Sequence, residues 1–155
     1  VRAIRAEALT PEAFAPFGAV VEPRPETARA INEGFTTRFH ALGEVAAEGA
    51  PVILSIFRAR PRPLRLEMLE RHPKGAQSFQ PLGRRPWLTV CAAAPDAPLR
   101  AFLCGPEQGV ILAPGVWHHP LLTLAAQDFL VADRARPEDN LEEARLPAPI
   151  RVTLD

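Results

Sequence analysis

The chain has 155 residues, of which 47% are hydrophobic and 23% charged, and its formal net charge is zero. This length favours a single domain over residues 1–155, and the lack of excess positive charge argues against binding of nucleic acid or of an anionic membrane surface. The N-terminal residues lack the apolar segment of a signal peptide and no apolar run reaches the roughly 20 residues of a membrane span, so we expect a cytoplasmic protein.

The first predicted element is a short helix. In ALTPEAFAPFG, Thr10 is suited to cap the helix, Pro11 to occupy its first position, and Gly18 to end it. A strand at AVVEP follows, and then a polar loop at RPETARA. In INEGFTTRFHAL, Asn32 and Gly34 mark a turn between short extended stretches.

From residue 51 onward, the chain reads as short strands separated by Pro, Gly, Asp and Asn. VILSIFRA is interpreted as a buried strand, and LRLEML alternates apolar with charged residues, as a strand with one buried face does. The remaining predicted strands are WLTVCAA, LRAFLC, GVILA, WHHPLLTL, DFLVAD and IRVTL. Strands at roughly ten-residue spacing, with no long helical pattern, predict an all-β barrel or sandwich.

Two cysteines, Cys91 and Cys104, lie within predicted apolar strands. A disulfide-held chain of this size would need more cysteines than two. We therefore expect both to be buried free thiols.

Two segments of the predicted barrel place histidine next to turn residues. They are ERHPKGAQSFQPLG at residues 70–83 and GVILAPGVWHHPLL at residues 109–122. In a β-barrel, such positions can converge on the mouth. Neighbouring side chains of a strand point to opposite faces, so at most one of His118 and His119 faces the interior. We expect it to be His118.

The second segment resembles the second cupin motif, in which a glycine, a spacer and a Pro-Gly turn precede a histidine. The matching residues are Gly109, Pro114, Gly115 and His118. The first segment resembles a first cupin motif whose paired histidines are missing. His72 and Gln77 stand where cupins carry metal ligands, with glutamine in place of glutamate.

Taken together, ERHPKGAQSFQPL, PGVWHHPLL, DFLVADR and INEGF resemble the ureidoglycolate lyase family, also called ureidoglycolate hydrolases. The chain departs from the family pattern at Glu33, where INNG is usual, and at Leu141, which replaces a cysteine. The resemblance implies a cupin-like β-barrel or jelly roll with a short N-terminal helix, and a homodimer. It also implies release of urea from ureidoglycolate to leave glyoxylate, late in purine (allantoin) breakdown.

This reaction needs a base for a hydroxyl proton, an acid for the departing nitrogen, and a partner for a carboxylate. Histidine serves either acid–base role near neutral pH, arginine binds carboxylates with a planar fork, and amide or carboxylate groups suit the urea moiety. The expected catalytic residues are His118 and His72, with His119 supporting them or packing near the dimer interface. The expected substrate-binding residues are Arg38, Arg71, Gln77, Asn32 and Asp133.

A divalent metal ion such as nickel or manganese is one alternative, held by His72, His118 and Gln77. In the other alternative no cofactor is required and the same histidines act directly as acid and base. The function also has rivals: another cupin-type small-acid enzyme (an isomerase or a metal-dependent oxygenase), or a non-catalytic module that binds a small carboxylate. Several titratable residues in two separate motifs favour an enzyme, a carbon–nitrogen lyase of the amidine-lyase type.

Overall fold

The structure, a computed structural model, describes all 155 residues and contains one α-helix, α1 (Pro11–Phe14). The strands, in chain order, are β1 (Arg2–Arg5), β2 (Glu7–Ala8), β3 (Gly18–Val21), β4 (Ala28–Ile31), β5 (Thr36–Phe39), β6 (Val52–Ala59), β7 (Arg65–Arg71), β8 (Gln77–Pro81), β9 (Trp87–Ala92), β10 (Arg100–Cys104), β11 (Gly109–Leu112), β12 (Trp117–His118), β13 (Leu122–Thr123), β14 (Gln127–Arg134) and β15 (Glu142–Thr153). Short 3-10 turns at Pro25–Thr27, Asn32–Gly34 and Pro137–Asp139 connect some of them. No helix here reaches the length and hydropathy that crossing a membrane requires.

The strands form two sheets and a separate ribbon. The larger sheet has the order β1-β15-β7-β12-β9-β10-β2, with β13 beside β9, and the smaller has the order β3-β11-β8-β14-β6. Strands β4 and β5 pair only with each other. Pairing is antiparallel except between β1 and β15 and between β2 and β10. The architecture confirms the predicted all-β, cupin-like barrel.

The main hydrophobic core lies between the two sheets. Trp87 of the larger sheet packs against Phe129 and Phe79 of the smaller one, with ring centroids 5.2 and 6.3 Å apart. Phe14 of α1 packs edge-on against Phe102, 5.2 Å away, and both are fully buried. The short helix therefore closes the core against one part of the larger sheet.

Strand β9 is buried on both faces, and its alternate residues enter two different cores. Cys91 belongs to the core between the sheets, whereas Leu88 and Val90 belong to a second apolar cluster that includes Leu66. Cys91 and Cys104 are both buried and free, as expected. Burial raises the pKa of the Cys91 thiol to about 12, so this thiol stays protonated and unreactive.

The helix begins where the sequence predicts but is shorter. The Thr10 hydroxyl accepts a hydrogen bond from the Ala13 amide at 3.1 Å, and Pro11 occupies the first turn. Gly18 does not end this helix but begins β3. A Cβ at Gly18 would lie only 1.8 Å from the carbonyl oxygen of Ile111, so the pairing of β3 with β11 requires glycine there.

Several segments differ from their sequence-based predictions. WHHPLLTL, predicted as one strand, forms two short ones, β12 and β13. The prediction that VILSIFRA is buried is wrong, because β6 is an edge strand on which Leu54 and Ile56 are 70% and 55% exposed. The prediction that RPETARA is entirely loop is also wrong, because its last residues enter β4. Of strand β15, the sequence predicts only the last residues, within IRVTL. Its earlier part contains Pro147 and Pro149, and its pairing with β7 is irregular there.

Candidate active site

Strand pairing brings the two histidine-containing segments together. Strand β12 lies between β7 and β9, so that His118 is opposite Glu70 on one side and Cys91 on the other. Residues directly opposite each other in an antiparallel sheet share a face. Because Cys91 faces the core between the sheets, His118 and Glu70 face it too, as the sequence analysis expected for His118.

Glu70, His72 and His118 form a compact group that we call the buried cluster. The Nε2 atoms of His72 and His118 lie 3.2 and 3.5 Å from the same Glu70 Oε2 atom, and the two imidazole centroids are 5.2 Å apart. The His118 side chain is 3% exposed, and the other two are about one-fifth exposed. In this chain it is the only group of His, Cys, Asp and Glu side chains whose ligand atoms converge closely enough to hold a metal ion.

The backbone determines which nitrogen of each imidazole faces the carboxylate. His72 Nδ1 lies 2.9 Å from the carbonyl oxygen of Asn140, and His118 Nδ1 lies 3.0 Å from that of Val116. A carbonyl oxygen only accepts, so each Nδ1 carries a hydrogen and each neutral imidazole turns the Nε2 lone pair toward Glu70.

The lone pairs of the buried cluster therefore converge without a donor between them. Both Nε2 atoms are buried, and neither makes a hydrogen bond of good geometry. Electron-rich atoms that face one another in a buried site need a positive charge among them. That charge is supplied either by protons on the imidazoles or by a metal cation.

The pKa values of the cluster follow from this geometry. Burial would raise the pKa of Glu70, but the imidazoles of His118 and His72 outweigh burial and lower it to about 2. Burial would likewise lower the pKa of His72, but Glu70, the Asn140 carbonyl and the charge of Asp133 raise it above its usual value. Glu70 is thus ionised at neutral pH, and His72 holds its proton more strongly than a free histidine does.

The donor set also fits a divalent metal ion. Two imidazole nitrogens and one carboxylate oxygen suit ions such as nickel or manganese. The Nδ1–H groups of His72 and His118 donate to backbone carbonyls, as those of metal-ligating histidines usually do. The two orphaned Nε2 atoms are the positions from which an ion would be held.

The smaller sheet provides the wall opposite the cluster. Gln77 of β8 and Asp133 of β14 are directly paired, and the Gln77 amide nitrogen donates to Asp133 Oδ2 at 3.0 Å. Together with Glu70 and His72 they line a cavity of about 250 Å³. The remaining lining residues are Phe57, Ala76, Arg134, Pro137, Asn140 and Leu141. A larger groove, lined by Phe39, Leu42 and Arg84 among others, contains no part of the cluster.

Arg134 is the only arginine that lines this cavity, and its Nε and Nη1 groups are engaged within the chain. It donates to Asp139 at 2.6 Å, to the carbonyls of Ala135 and Arg136 at 3.3 and 3.2 Å, and to that of Glu48. Arg134 therefore fastens two loops beside the cavity.

Arg71 does not reach the cavity, although the sequence analysis expected it to bind substrate. It lies between Glu70 and His72 in sequence and points to the other side of β7. Its guanidinium pairs with Glu142 at 2.7 Å and lies 4.9 Å from the Trp117 ring centroid. The alternation of side chains along a strand accounts for this placement.

Asn32 and Arg38 also lie outside the cavity. Both belong to the two-stranded ribbon of residues 28–39, in which residues 28–38 are all exposed. The Asn32 amide donates to the Thr36 hydroxyl at 3.2 Å, and Arg38 makes no hydrogen bond or ion pair within the chain. The chemistry of their side chains suited the expected substrate, but their positions keep them outside the cavity.

His119 is buried but separate from the buried cluster. Its Nδ1 lies 2.8 Å from the carbonyl oxygen of Pro120, and its amide donates to the Val90 carbonyl at 3.0 Å. Burial lowers the pKa of His119, so this ring is neutral at neutral pH. Of the adjacent histidines, His118 alone contacts Glu70.

Sequence reasoning missed Glu70, the residue at the centre of the cluster. The signal was its spacing from His72, because residues two apart on a strand share a face. The first cupin motif carries a histidine pair, and here a glutamate and a histidine occupy one face instead.

A family model for ureidoglycolate lyase matches residues 1–153 of this chain. The chain belongs to the ureidoglycolate lyase family. It is 52% identical to ureidoglycolate lyase 1 of Rhizobium meliloti (strain 1021), over 88% of this chain and 85% of that protein. It is 50% identical to the ureidoglycolate lyase of Agrobacterium fabrum (strain C58), over 93% and 92%. For that of Burkholderia mallei (strain NCTC 10229), the identity is 44% over 100% and 96%.

Proposed function

We propose that this protein is a carbon–nitrogen lyase that cleaves ureidoglycolate to glyoxylate and urea. The observation that carries the proposal is the buried cluster of Glu70, His72 and His118 in a chain of the ureidoglycolate lyase family. The names of the relatives supply the substrate, and the cluster supplies groups able to move a proton at neutral pH. Metal-dependent oxygenation and non-catalytic carboxylate binding have no comparable support.

Besides breakage of the carbon–nitrogen bond, the reaction requires only proton transfer at two atoms that are bonded to one carbon. In ureidoglycolate, a single carbon carries the carboxylate, a hydroxyl and the nitrogen that departs with urea. As the carbon–nitrogen bond breaks, the hydroxyl oxygen loses its proton and becomes the carbonyl oxygen of glyoxylate. The departing nitrogen gains a proton. No water is consumed. Because the hydroxyl oxygen and the departing nitrogen are bonded to the same carbon, one group placed beside that carbon can serve both atoms in turn.

The buried cluster is suited to this proton transfer. His72 is kept protonated by the Glu70 carboxylate and can donate from Nε2 to the departing nitrogen. The neutral Nε2 that results can then accept the hydroxyl proton. His118 faces the same carboxylate oxygen, with its Nε2 3.5 Å away. The protonated His72 lines the cavity and is the group that can attract the carboxylate of the substrate.

The same three side chains would hold a divalent metal ion, such as nickel or manganese, through Nε2 of His72 and His118 and the carboxylate of Glu70. When bound there, the ion would polarise the hydroxyl or carboxylate oxygen of the substrate. Glu70 takes the place that the sequence analysis gave to Gln77 as third ligand, since its carboxylate oxygen lies 3.2 and 3.5 Å from the two Nε2 atoms. Metal analysis of the purified protein and activity after chelation test this arrangement.

We also propose that the protein acts as a homodimer in the cytoplasm. The exposed apolar residues of edge strand β6, Leu54 and Ile56, support a second copy there, and the free thiols are compatible with a reducing compartment. Leu54→Asp should convert a dimer to a monomer in light scattering, whereas Leu82→Asp, an exposed leucine outside the strands, should not. A monomeric unaltered protein would contradict the dimer.

The test of the proposed reaction is a product assay. Purified protein is mixed with ureidoglycolate, and glyoxylate, urea and ammonia are followed with and without chelator. Because the substrate decays spontaneously, the His118→Ala protein sets the background. We expect equal amounts of glyoxylate and urea above that background and no ammonia. Ammonia in place of urea, or no release above background, would contradict the proposal.

A further inference from the structure

One contact on the wall opposite the buried cluster sets the orientation of a side-chain amide. Gln77 Nε2 donates to Asp133 Oδ2 at 3.0 Å. A carboxylate only accepts hydrogen bonds, so the NH₂ end of the Gln77 amide has to face Asp133. The Gln77 oxygen therefore faces away from Asp133, and the two ends of the amide are not interchangeable.

The Gln77 oxygen has no partner within the protein. The residue is 7% exposed, and its Oε1 is buried without a hydrogen bond. Buried side-chain acceptors are nearly always paired, so an orphaned one calls for an explanation. This oxygen belongs to a residue that lines the same cavity as Glu70 and His72.

The chemistry of this wall selects the part of the substrate that fits beside it. Gln77 Oε1 repels a carboxylate and attracts an N–H group, and the carboxylate of Asp133 behind it strengthens both effects. On the other wall, the imidazole of His72, when protonated, attracts the carboxylate of the substrate. A small acid with a ureido group at its other end thus meets complementary chemistry on both walls.

We propose that Asp133 is a positioning residue that holds the Gln77 amide so that its oxygen accepts a hydrogen bond from the ureido NH₂ of the substrate. The inference rests on the proposed function and adds a source of specificity to it. Gln77 is the residue that contacts substrate, and Asp133 acts through Gln77. The site then prefers small acids with an N–H donor over acids of similar size without one.

The test compares two stable ligands in binding calorimetry. Oxalurate carries both a carboxylate and a ureido group, whereas glyoxylate carries no N–H. Gln77→Met keeps the length of the side chain and removes its oxygen; Asp133→Asn keeps the shape and can face Gln77 with either a donor or an acceptor. We expect Gln77→Met to weaken oxalurate binding about tenfold, as loss of one buried hydrogen bond does, and to leave glyoxylate binding within about twofold.

A double variant then asks whether Asp133 acts through Gln77. Asp133→Asn should weaken oxalurate binding when Gln77 is present and have no further effect in the Gln77→Met protein. Equal weakening of both ligands, or an equal effect of Asp133→Asn in both backgrounds, would overturn the inference and leave the proposed reaction standing. An unaltered protein that binds neither ligand would instead count against the proposed function itself. Thermal unfolding of each variant identifies any that fail to fold.

Discussion

The family resemblance drew attention both to His72 and His118 of the buried cluster and to the INEGF stretch in the ribbon of residues 28–39, and these two regions differ in burial and contacts. In the cluster, three polar side chains converge between two sheets, and each histidine is fixed by a backbone carbonyl. In the ribbon, Asn32 and Arg38 are exposed and contact no part of the cavity. A buried polar group needs a hydrogen-bond or charge partner inside the protein, so the fold constrains its position closely. An exposed polar group can bind water instead.

The pKa values of His40 and His72 shift in opposite directions, and neighbouring charges contribute to both shifts. The pKa of His40, which follows the ribbon, is lowered by the charge of Arg29, by burial and by the charge of Arg38. The pKa of His72 is raised, because Glu70 and Asp133 outweigh burial. The charges around identical side chains thus move their pKa values apart, and His72 holds its proton more strongly than His40 does.

The largest effect is expected from breaking the cluster. His118→Ala and His72→Ala should each lower kcat/KM for urea release by about 100-fold or more, the usual contribution of a positioned acid or base. Initial rates of urea release measure the loss. Far-UV circular dichroism controls for folding, and a folded variant within threefold of the unaltered protein would place the chemistry elsewhere.

A smaller effect is expected from the cavity wall. Arg134→Met removes the donor that serves the carbonyls of Glu48, Ala135 and Arg136, and it should lower the free energy of unfolding by about 1–3 kcal/mol. Urea denaturation measures the change, and Arg151→Met, an exposed arginine of β15, is the matched control. Equal stability of the two variants would show that Arg134 does not fasten the loops beside the cavity.

The pH dependence of metal binding tests the raised pKa of His72. An ion needs the neutral Nε2 of His72, and the pKa of this residue is raised above 6.5. Protons therefore compete with the ion below that raised pKa, where affinity should fall about tenfold per pH unit, and affinity should level off above it. Titration with nickel at several pH values between 6 and 9 measures this slope. An affinity that is constant over the range would argue against His72 as a ligand.

The smallest effect is expected from the ribbon. Arg38→Ala and Asn32→Ala should each change kcat/KM by less than about twofold, because surface substitutions without contacts have small effects. Steady-state kinetics above and below the dissociation range of the proposed dimer provide the check. A loss of tenfold or more would mean that the ribbon takes part in a site.

Much of the fold is accessible from the sequence, because strand alternation and turn residues are local signals. The helix start at Thr10 and most strands of both sheets follow from them. The exposure of β6 does not, since an apolar run shows that a strand has apolar faces but not what covers them. Whether Leu54 is buried depends on sheet order, which is a property of the whole chain.

Part of the candidate site could be predicted from the sequence for the same reason. His72 and His118 were found through their turns and motifs, and Gln77 and Asp133 were named although their direct pairing was not foreseen. Glu70 was missed, and Arg71, which points away from the cavity, was expected to bind substrate. Side-chain alternation distinguishes the two: Glu70 shares a face with His72, and Arg71 does not.

The most direct test of the account is the rate of urea release by Glu70→Gln, measured beside Glu142→Gln. Both substitutions remove one carboxylate charge without changing shape, but Glu70 lies in the buried cluster and Glu142 pairs with Arg71 on the other side of β7. The account predicts a loss of about 100-fold or more for Glu70→Gln and less than about twofold for Glu142→Gln. Equal activity of the two folded variants would contradict the claim that the buried cluster performs the chemistry.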